Sequence, residues 1–182
     1  MFTNASASLA LLISFVVINV GHVLLLYRQH GKANCTLSER AVASPANLII
    51  YILTHLVGGA AFLAFSYRLF WLEYHNALML ALASAGVMTQ WLQAVLPAKG
   101  KFSAVHTALA FAMSGFIISM GIVGTFGLNI SLSTRSLTLA IELIILSGYP
   151  IITIMPYKYF WLAQVVNINL FYLQMFIFLL AA

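Results

Sequence analysis

The chain has 182 residues, of which 63% are hydrophobic and only 6% are charged, and its mean hydropathy is +1.04. Soluble domains carry about 25% charged residues, so the composition excludes a water-soluble catalytic domain, a dinucleotide-binding fold and a nucleic-acid-binding module. The net charge of +5 comes from basic residues scattered over the connections, a pattern that indicates membrane topology rather than binding of nucleic acid. The sequence therefore predicts an all-α, polytopic integral membrane protein.

Six stretches are long and apolar enough to cross a bilayer, since one crossing takes about 20 residues. They lie near residues 6–27, 46–70, 75–96, 103–126, 136–155 and 158–181. No repeat and no low-complexity linker divides them. We therefore expect a single transmembrane domain over residues 1–182, folded as a bundle of six transmembrane helices.

Three helix starts can be predicted from capping patterns. In the first connection, Thr36 and Glu39 have the spacing of a capping box, in which each side chain satisfies a free amide at a helix start. A short interfacial helix is expected there. Ser44 and Pro45 then match an N-cap followed by proline in the first helical turn, where the second span should begin. Pro156 predicts the start of the sixth span in the same way.

Basic residues on the connections predict the orientation of the chain. Six of the eight fall in the first, third and fifth connections and two in the others: Arg28, Lys32, Arg40, Lys99, Lys101 and Lys158 against Arg68 and Arg135. Because cytoplasmic loops carry the excess of Lys and Arg, the odd connections should be cytoplasmic and both termini should lie on the opposite side. The single cysteine, Cys35, would then face the cytoplasm.

Polar side chains within the spans gather in the predicted cytoplasmic half of the bilayer. Eight of them, contributed by five spans, lie there: Asn19, His22, His55, Gln90, Gln93, His106, Gln164 and Asn167. Such groups are costly in hydrocarbon and face the protein interior or water, so we expect a polar pocket open to the cytoplasm that binds a small molecule or lipid. A protein of this kind would act as a sensor, an accessory subunit or a carrier. The structural alternative is that each amide only hydrogen-bonds a neighbouring helix.

His55 supports a second function, that of a b-type haem electron-transfer protein. It lies on the same helix face as Gly58 and Gly59, and haem needs an axial nitrogen together with room for its plane. His22 or His106 could supply the second axial ligand. No other metal is predicted, because the three histidines have no carboxylate nearby to orient them.

The fifth span contains the only carboxylate inside a span, Glu142, in the outer half of the bilayer. A carboxyl group at this depth should be neutral or paired, and Arg135, seven residues earlier on about the same face, is within reach as a partner. Two interpretations stay open: a packed, hydrogen-bonded glutamate, or the proton or ion coupling site of a small proton-coupled transporter. Pro150 in the same span should kink the helix, since it cannot donate to the carbonyl of Leu146.

No arrangement typical of an enzyme is found in the sequence. It lacks Gly-x-Ser-x-Gly, His-Glu-x-x-His, a phosphate-binding loop and a cysteine pair, and it contains no aspartate. We therefore predict no catalytic residue, and no cofactor outside the haem alternative. Besides the lipid bilayer and a small-molecule or lipid ligand, a membrane protein partner or a homo-oligomer stays open.

One segment resembles a known group of membrane proteins. Leu96 and Pro97, a short basic connection, and then His106 and Ala110 at the start of the fourth span resemble a pattern in small uncharacterised prokaryotic six-helix membrane proteins. Their layout is comparable to that of the Frag/DRAM/Sfk group. The aromatic residue that usually precedes the proline is Leu96 here. The resemblance implies a six-helix bundle and no established reaction, with His106 as a position of interest.

Overall fold

The computed structural model describes residues 2–28, 36–96, 98, 100–154, 156 and 159–182, and within these ranges every regular element is helical. Seven α-helices and two short segments of other helix types follow one another. In chain order they are α1 (Phe2–Tyr27), α2 (Leu37–Ala41), α3 (Pro45–Ser66), a π-helix (Tyr67–Glu73) that continues α3, α4 (Ala77–Val95), a 3₁₀ turn (Gly100–Phe102), α5 (Ser103–Gly127), α6 (Leu132–Ile154) and α7 (Phe160–Ala181).

Five helical stretches among the described residues are long and apolar enough to cross a bilayer. They are Ala5–Tyr27, Pro45–Glu73, Ala77–Val95, Gly100–Gly127 and Phe160–Ala181. This finding indicates an integral membrane protein and agrees with the all-α prediction. The sixth long helix, α6, has 23 residues but is not among the five. It carries Arg135 and Glu142 and begins in a run of serine and threonine residues.

The predicted capping box is confirmed. Thr36 Oγ1 accepts a hydrogen bond from Glu39 N at 3.3 Å, and Glu39 Oε2 accepts one from Thr36 N at 3.0 Å. The predicted start of the second span is confirmed as well: Ser44 Oγ accepts from Asn47 N at 3.2 Å, and Pro45 is the first residue of α3. Both starts follow from side chains that replace the missing intrahelical partners of the first amides.

Other boundaries differ from the predicted ones. Pro156 does not open the last helix; Tyr159 N donates to Pro156 O at 2.9 Å, closing a turn, and α7 begins at Phe160. Helix α6 begins at Leu132, earlier than the predicted residue 136, because Ser131 Oγ accepts from Thr134 N at 3.2 Å and caps the first turn. Pro150 lies inside α6, and the kink there stays a prediction.

The long helices pack as a ring in chain order, with α1 closing it against α7. Helices α1 and α3 approach closely where glycine leaves room: a Cβ atom at Gly21 would overlap Thr54, and one at Gly58 would lie 2.8 Å from Ile18 Cδ1. Small residues allow this approach in membrane helices. The outward faces are apolar, with residues such as Leu9, Phe111 and Leu180 more than half exposed. This distribution is typical of a surface that meets lipid.

Hydrogen bonds between elements show which connections share an end of the ring. Gln164 Oε1, near the start of α7, accepts from Leu37 N in the first connection at 3.3 Å. At the other end, Tyr74 Oη donates to Phe178 O at 2.9 Å. Helices α3 and α7 therefore run in the same direction, as the second and sixth helices of an alternating six-helix bundle would. Lys32, Cys35, Lys99 and Lys158 lie outside the described residues.

Candidate functional site

A partly enclosed cavity of about 70 Å³ lies inside the ring and is bordered by five of the long helices. Three of the eight predicted polar residues border it: His22 from α1, His55 from α3 and Gln90 from α4. The rest of the described lining is apolar apart from Tyr172, and it includes Phe62, Met113, Phe116, Met120 and Phe171. The cavity therefore offers an apolar space with a few hydrogen-bonding groups, the usual composition of a ligand site.

His55 is held in a defined orientation by its own helix. Its Nδ1 donates to Tyr51 O at 2.8 Å, and its ring lies 4.1 Å from the Tyr51 ring, centroid to centroid. Because a carbonyl oxygen can only accept, Nδ1 carries the hydrogen in the neutral ring, and Nε2 is left as an acceptor. Trp91 Nε1 donates to the His55 carbonyl at 3.1 Å and ties α4 to this turn.

His22 faces His55 across the α1–α3 interface. The two ring centroids lie 6.1 Å apart with the planes tilted by 52°. His22 is 2% exposed, and its Nδ1 has no hydrogen-bond partner in the part of the chain that the structure describes. Buried polar atoms in folded proteins nearly always have a partner, so this nitrogen is a candidate for contact with a ligand.

Gln93 and His106 form a separate pair between α4 and α5. His106 Nδ1 donates to Leu96 O at 2.8 Å, which leaves Nε2 to accept from Gln93 Nε2 at 3.4 Å. Gln93 Oε1 is buried and has no partner among the residues that the structure describes. Neither residue is part of the described cavity lining. The pair joins the end of α4 to the start of α5.

The remaining three predicted residues contact other helices rather than the cavity. Asn19 Oδ1 accepts from Asn169 Nδ2 at 3.1 Å, which links α1 to α7. Gln164 bonds the backbone of α2, as described above. The Asn167 amide lies against Gly148, where an added Cβ would be 3.0 Å from its Oδ1. Of the eight residues, the structure thus brings three together at the cavity and distributes five over helix contacts.

The surroundings of His55 do not suit a haem plane. The room left by Gly58 is filled by Ile18, and a Cβ at Gly59 would lie 2.5 Å from Trp91 Nε1. The cavity is also about half the size of one of about 150 Å³ that takes benzene, and a porphyrin is several times larger than benzene. Within the described ranges, no group of three or more His, Cys, Asp or Glu side chains could hold a metal ion.

Glu142 lies away from the cavity, between α5, α6 and α7. It is 1% exposed, and its Oε2 accepts from Gln174 Nε2 at 3.2 Å. The expected pairing with Arg135 is not observed; seven residues correspond to a rise of about 10 Å along a helix, whereas Gln174 on the neighbouring helix is in direct contact. Arg135 Nε and Glu142 Oε1 are both buried, and neither has a hydrogen-bond partner within the described ranges.

Sequence reasoning missed Tyr172 as a cavity residue. Its hydroxyl lies 2.6 Å from Ser14 Oγ, which donates to Gly58 O at 2.8 Å. This chain of hydrogen bonds joins α7, α1 and α3 beside the cavity. The available signal was the position of Tyr172 in the middle of a span, far from the rims where tyrosine is usually enriched.

Three comparisons, with protein families, with curated proteins and with solved structures, found no match for this chain. The resemblance to small six-helix membrane proteins therefore stays an expectation from the sequence. The geometry of the described residues carries the functional proposal.

Proposed function

We propose that this protein is a six-span integral membrane protein that binds a small, largely apolar molecule in the cavity bordered by His22, His55 and Gln90. The cavity itself is the observation that carries the proposal. It is an apolar space inside the ring, bordered by His22, whose Nδ1 has no hydrogen-bond partner among the described residues, and by His55, whose Nε2 can accept a hydrogen bond. The binding would serve a sensor, an accessory subunit or a carrier.

The proposed topology has both termini on the non-cytoplasmic side. Its support is the six-to-two distribution of basic residues between alternate connections and the common direction of α3 and α7. Helix α6 supplies the sixth span in this proposal, since its 23 residues are long enough to cross the hydrocarbon core at about 1.5 Å per residue. His22, His55 and Gln90 then lie in the cytoplasmic half of the membrane.

The lining determines the chemistry of the ligand. Aromatic and aliphatic side chains favour a flat apolar group, and the His55 Nε2 acceptor favours a ligand that donates a hydrogen bond. The Gln90 amide can donate and accept. A ring bearing a hydroxyl or N–H group meets these requirements, either as a free molecule or as the terminal part of a lipid. The cavity of about 70 Å³ is too small to enclose a whole ring but is only partly enclosed, so part of the ring would extend through its open side.

A thermal-shift experiment with phenol and toluene tests the proposal. The two molecules have similar size and shape but only phenol donates a hydrogen bond, so phenol should raise the unfolding temperature of the detergent-purified protein more than toluene does. At about ten times its Kd, a ligand stabilises the folded state by about 1.4 kcal/mol, a shift of about 3–6 °C for a chain of this size.

The matched control separates the cavity from general effects of an aromatic solute. His55→Phe should remove the advantage of phenol over toluene, whereas His75→Phe, at an exposed histidine outside the cavity, should retain it. Equal shifts with both molecules in the unmodified protein would contradict the proposal. So would a phenol advantage that persists in His55→Phe.

A further inference from the structure

A second polar cluster, separate from the cavity, lies where α5, α6 and α7 meet. It comprises Glu142 and Thr138 on α6, Gln174 on α7, and Thr125 and Gly121 on α5, each of them buried. Gln174 Nε2 donates both to Glu142 Oε2 and to Thr138 O, each at 3.2 Å. Thr125 Oγ1 donates to Thr138 Oγ1 at 3.0 Å, and Thr138 Oγ1 in turn donates to Arg135 O at 3.1 Å.

The absence of a side chain at Gly121 makes room for this cluster. A Cβ atom there would overlap Glu142 Oε2 and would lie 2.9 Å from Gln174 Oε1. The carboxyl group and the amide oxygen therefore lie side by side against the backbone of α5. The carboxyl group is held in protein rather than directed toward lipid.

The hydrogen bonds in the cluster leave two acceptors without a donor. Glu142 Oε1 and Gln174 Oε1 are both buried and have no partner among the described residues. Of the two hydrogens of the Gln174 amide, one is donated to Glu142 Oε2 and the other to Thr138 O, and the hydroxyl hydrogens of Thr125 and Thr138 are donated elsewhere. An unpaired buried acceptor is costly, and a proton added to the carboxyl group would give these two oxygens a hydrogen to share.

We propose that Glu142 and Gln174 form a proton-binding site, in which Glu142 is a neutral carboxylic acid that donates its hydrogen to Gln174 Oε1. One proton taken up from water turns one of the two orphaned acceptors into a donor and supplies the other with a partner. It also removes a negative charge from a region where an unpaired ion is strongly disfavoured. The cyclic acid–amide pair then has a donor and an acceptor on each side.

Few other ionisable residues lie on the three helices that form this site. Helix α5 contains only His106, which lies about 22 Å along the helix from Gly121 and is bonded to Leu96. Helix α7 contains only Tyr172, whose hydroxyl is bonded to Ser14. On α6 itself the others are Arg135, about two turns away, and Tyr149. A proton bound by Glu142 itself is therefore the nearest positive charge that can neutralise its carboxyl group.

Infrared spectroscopy of the purified protein in lipid tests the site directly. A carboxylic acid has a C=O stretching band separate from those of carboxylates and amides, and the chain contains only three acidic side chains, Glu39, Glu73 and Glu142. We expect this band at neutral pH, its loss in Glu142→Gln, and its retention in Glu73→Gln, where the residue is exposed. Gln174→Leu should shift the band to higher frequency, because the acid loses its hydrogen-bond partner.

The pH dependence of stability gives a second measurement. The unfolded chain ionises Glu142 above pH about 4.3, whereas the folded protein keeps the proton, so the unfolding temperature should fall as the pH rises from about 5. The fall should end only where the folded protein also releases the proton. Glu142→Gln, which keeps a neutral group of the same shape, should remove that part of the fall. Glu73→Gln should leave it unchanged.

Three results would overturn the proposal. The first is an acid band that survives in Glu142→Gln, and the second is the lack of an acid band in the unmodified protein at neutral pH. The third is removal of the acid band by Na⁺ or K⁺ together with a rise in unfolding temperature, which would identify a cation site. If Glu142→Gln fails to fold, the band shift in Gln174→Leu decides. Phenol binding at His55 should be unchanged in these variants, so failure of this site and failure of the cavity can be told apart.

Discussion

At the scale of single residues, the glycines of these helices differ in what lies against them. Gly121 is in contact with the carboxyl group of Glu142, whereas Gly115, less than two turns earlier on the same helix, has nothing within 4 Å of an added Cβ. Glycine in a helix interior is less favourable than alanine by about 1 kcal/mol. Glycine is therefore the better residue only where a neighbouring group already occupies the space that the methyl group of alanine would take.

The first prediction compares these two positions. Gly121→Ala should destabilise the protein, because the new methyl group overlaps Glu142 Oε2. Overpacking of this kind costs about 1–3 kcal/mol. Gly115→Ala should stabilise it by about 0.5–1 kcal/mol through helix propensity. Thermal unfolding in one detergent measures both. Equal effects of the same sign would show that the contact at Gly121 is not as described.

The second prediction concerns the indole of Trp91. Trp91→Phe removes the hydrogen bond to the His55 carbonyl while it retains most of the apolar packing, so we expect a loss of about 1 kcal/mol in unfolding free energy. Trp71→Phe is the matched control, because Trp71 is an exposed residue of the π-helix. A larger loss at Trp71 than at Trp91 would contradict the assignment.

At the scale of elements, the short helix α2 depends on its cap and on one contact with α7. Five residues are too few to form a stable helix in isolation. The capping box at Thr36 and the bond from Leu37 N to Gln164 hold it against the ends of the long helices. Its amides should therefore exchange with solvent faster when either contact is removed.

The third prediction follows from that dependence. Thr36→Ala leaves Glu39 N without its acceptor and should weaken α2 by about 1 kcal/mol, a rise of about fivefold in hydrogen exchange over residues 37–41. Ser136→Ala is the control, since Ser136 is exposed and donates only to Leu132 O on its own helix. Unchanged exchange in Thr36→Ala would show that the cap does not hold the helix.

Element starts that depend on local side chains were predictable, whereas others were not. The caps at Thr36 and Ser44 act within three residues, so they could be recognised in the sequence. The π-helix Tyr67–Glu73 contains neither glycine nor proline, and nothing in its composition indicates it. Its Leu69 and Phe70 are almost completely buried, so packing against neighbouring helices accompanies the wider turn.

At the scale of the whole molecule, the proposed topology gives the fourth prediction. In intact cells, Cys35 should react only with reagents that cross the membrane, because the first connection is placed in the cytoplasm. Asn129→Cys in a Cys35→Ser background should react with impermeant reagents, because the exposed Asn129 lies in the fourth connection, between α5 and α6. The reverse pattern would invert the orientation, and labelling of both sites from outside would contradict a six-span arrangement.

The sequence by itself determined the all-helical class, the approximate position of each long helix and two of the helix caps, because hydrophobic length and capping act over one segment at a time. It also identified His22, His55 and Gln90 as polar groups at similar depth. Only the tertiary structure decided that these three border a cavity while Gln93, Asn19 and Gln164 bond to neighbouring helices. The depth of a residue along its helix follows from its number in the sequence. Whether its side chain points into the ring or toward a neighbouring helix depends on how that helix is rotated about its axis. That rotation is set by contacts between distant residues, such as Gly121 with Glu142 and Gly58 with Ile18.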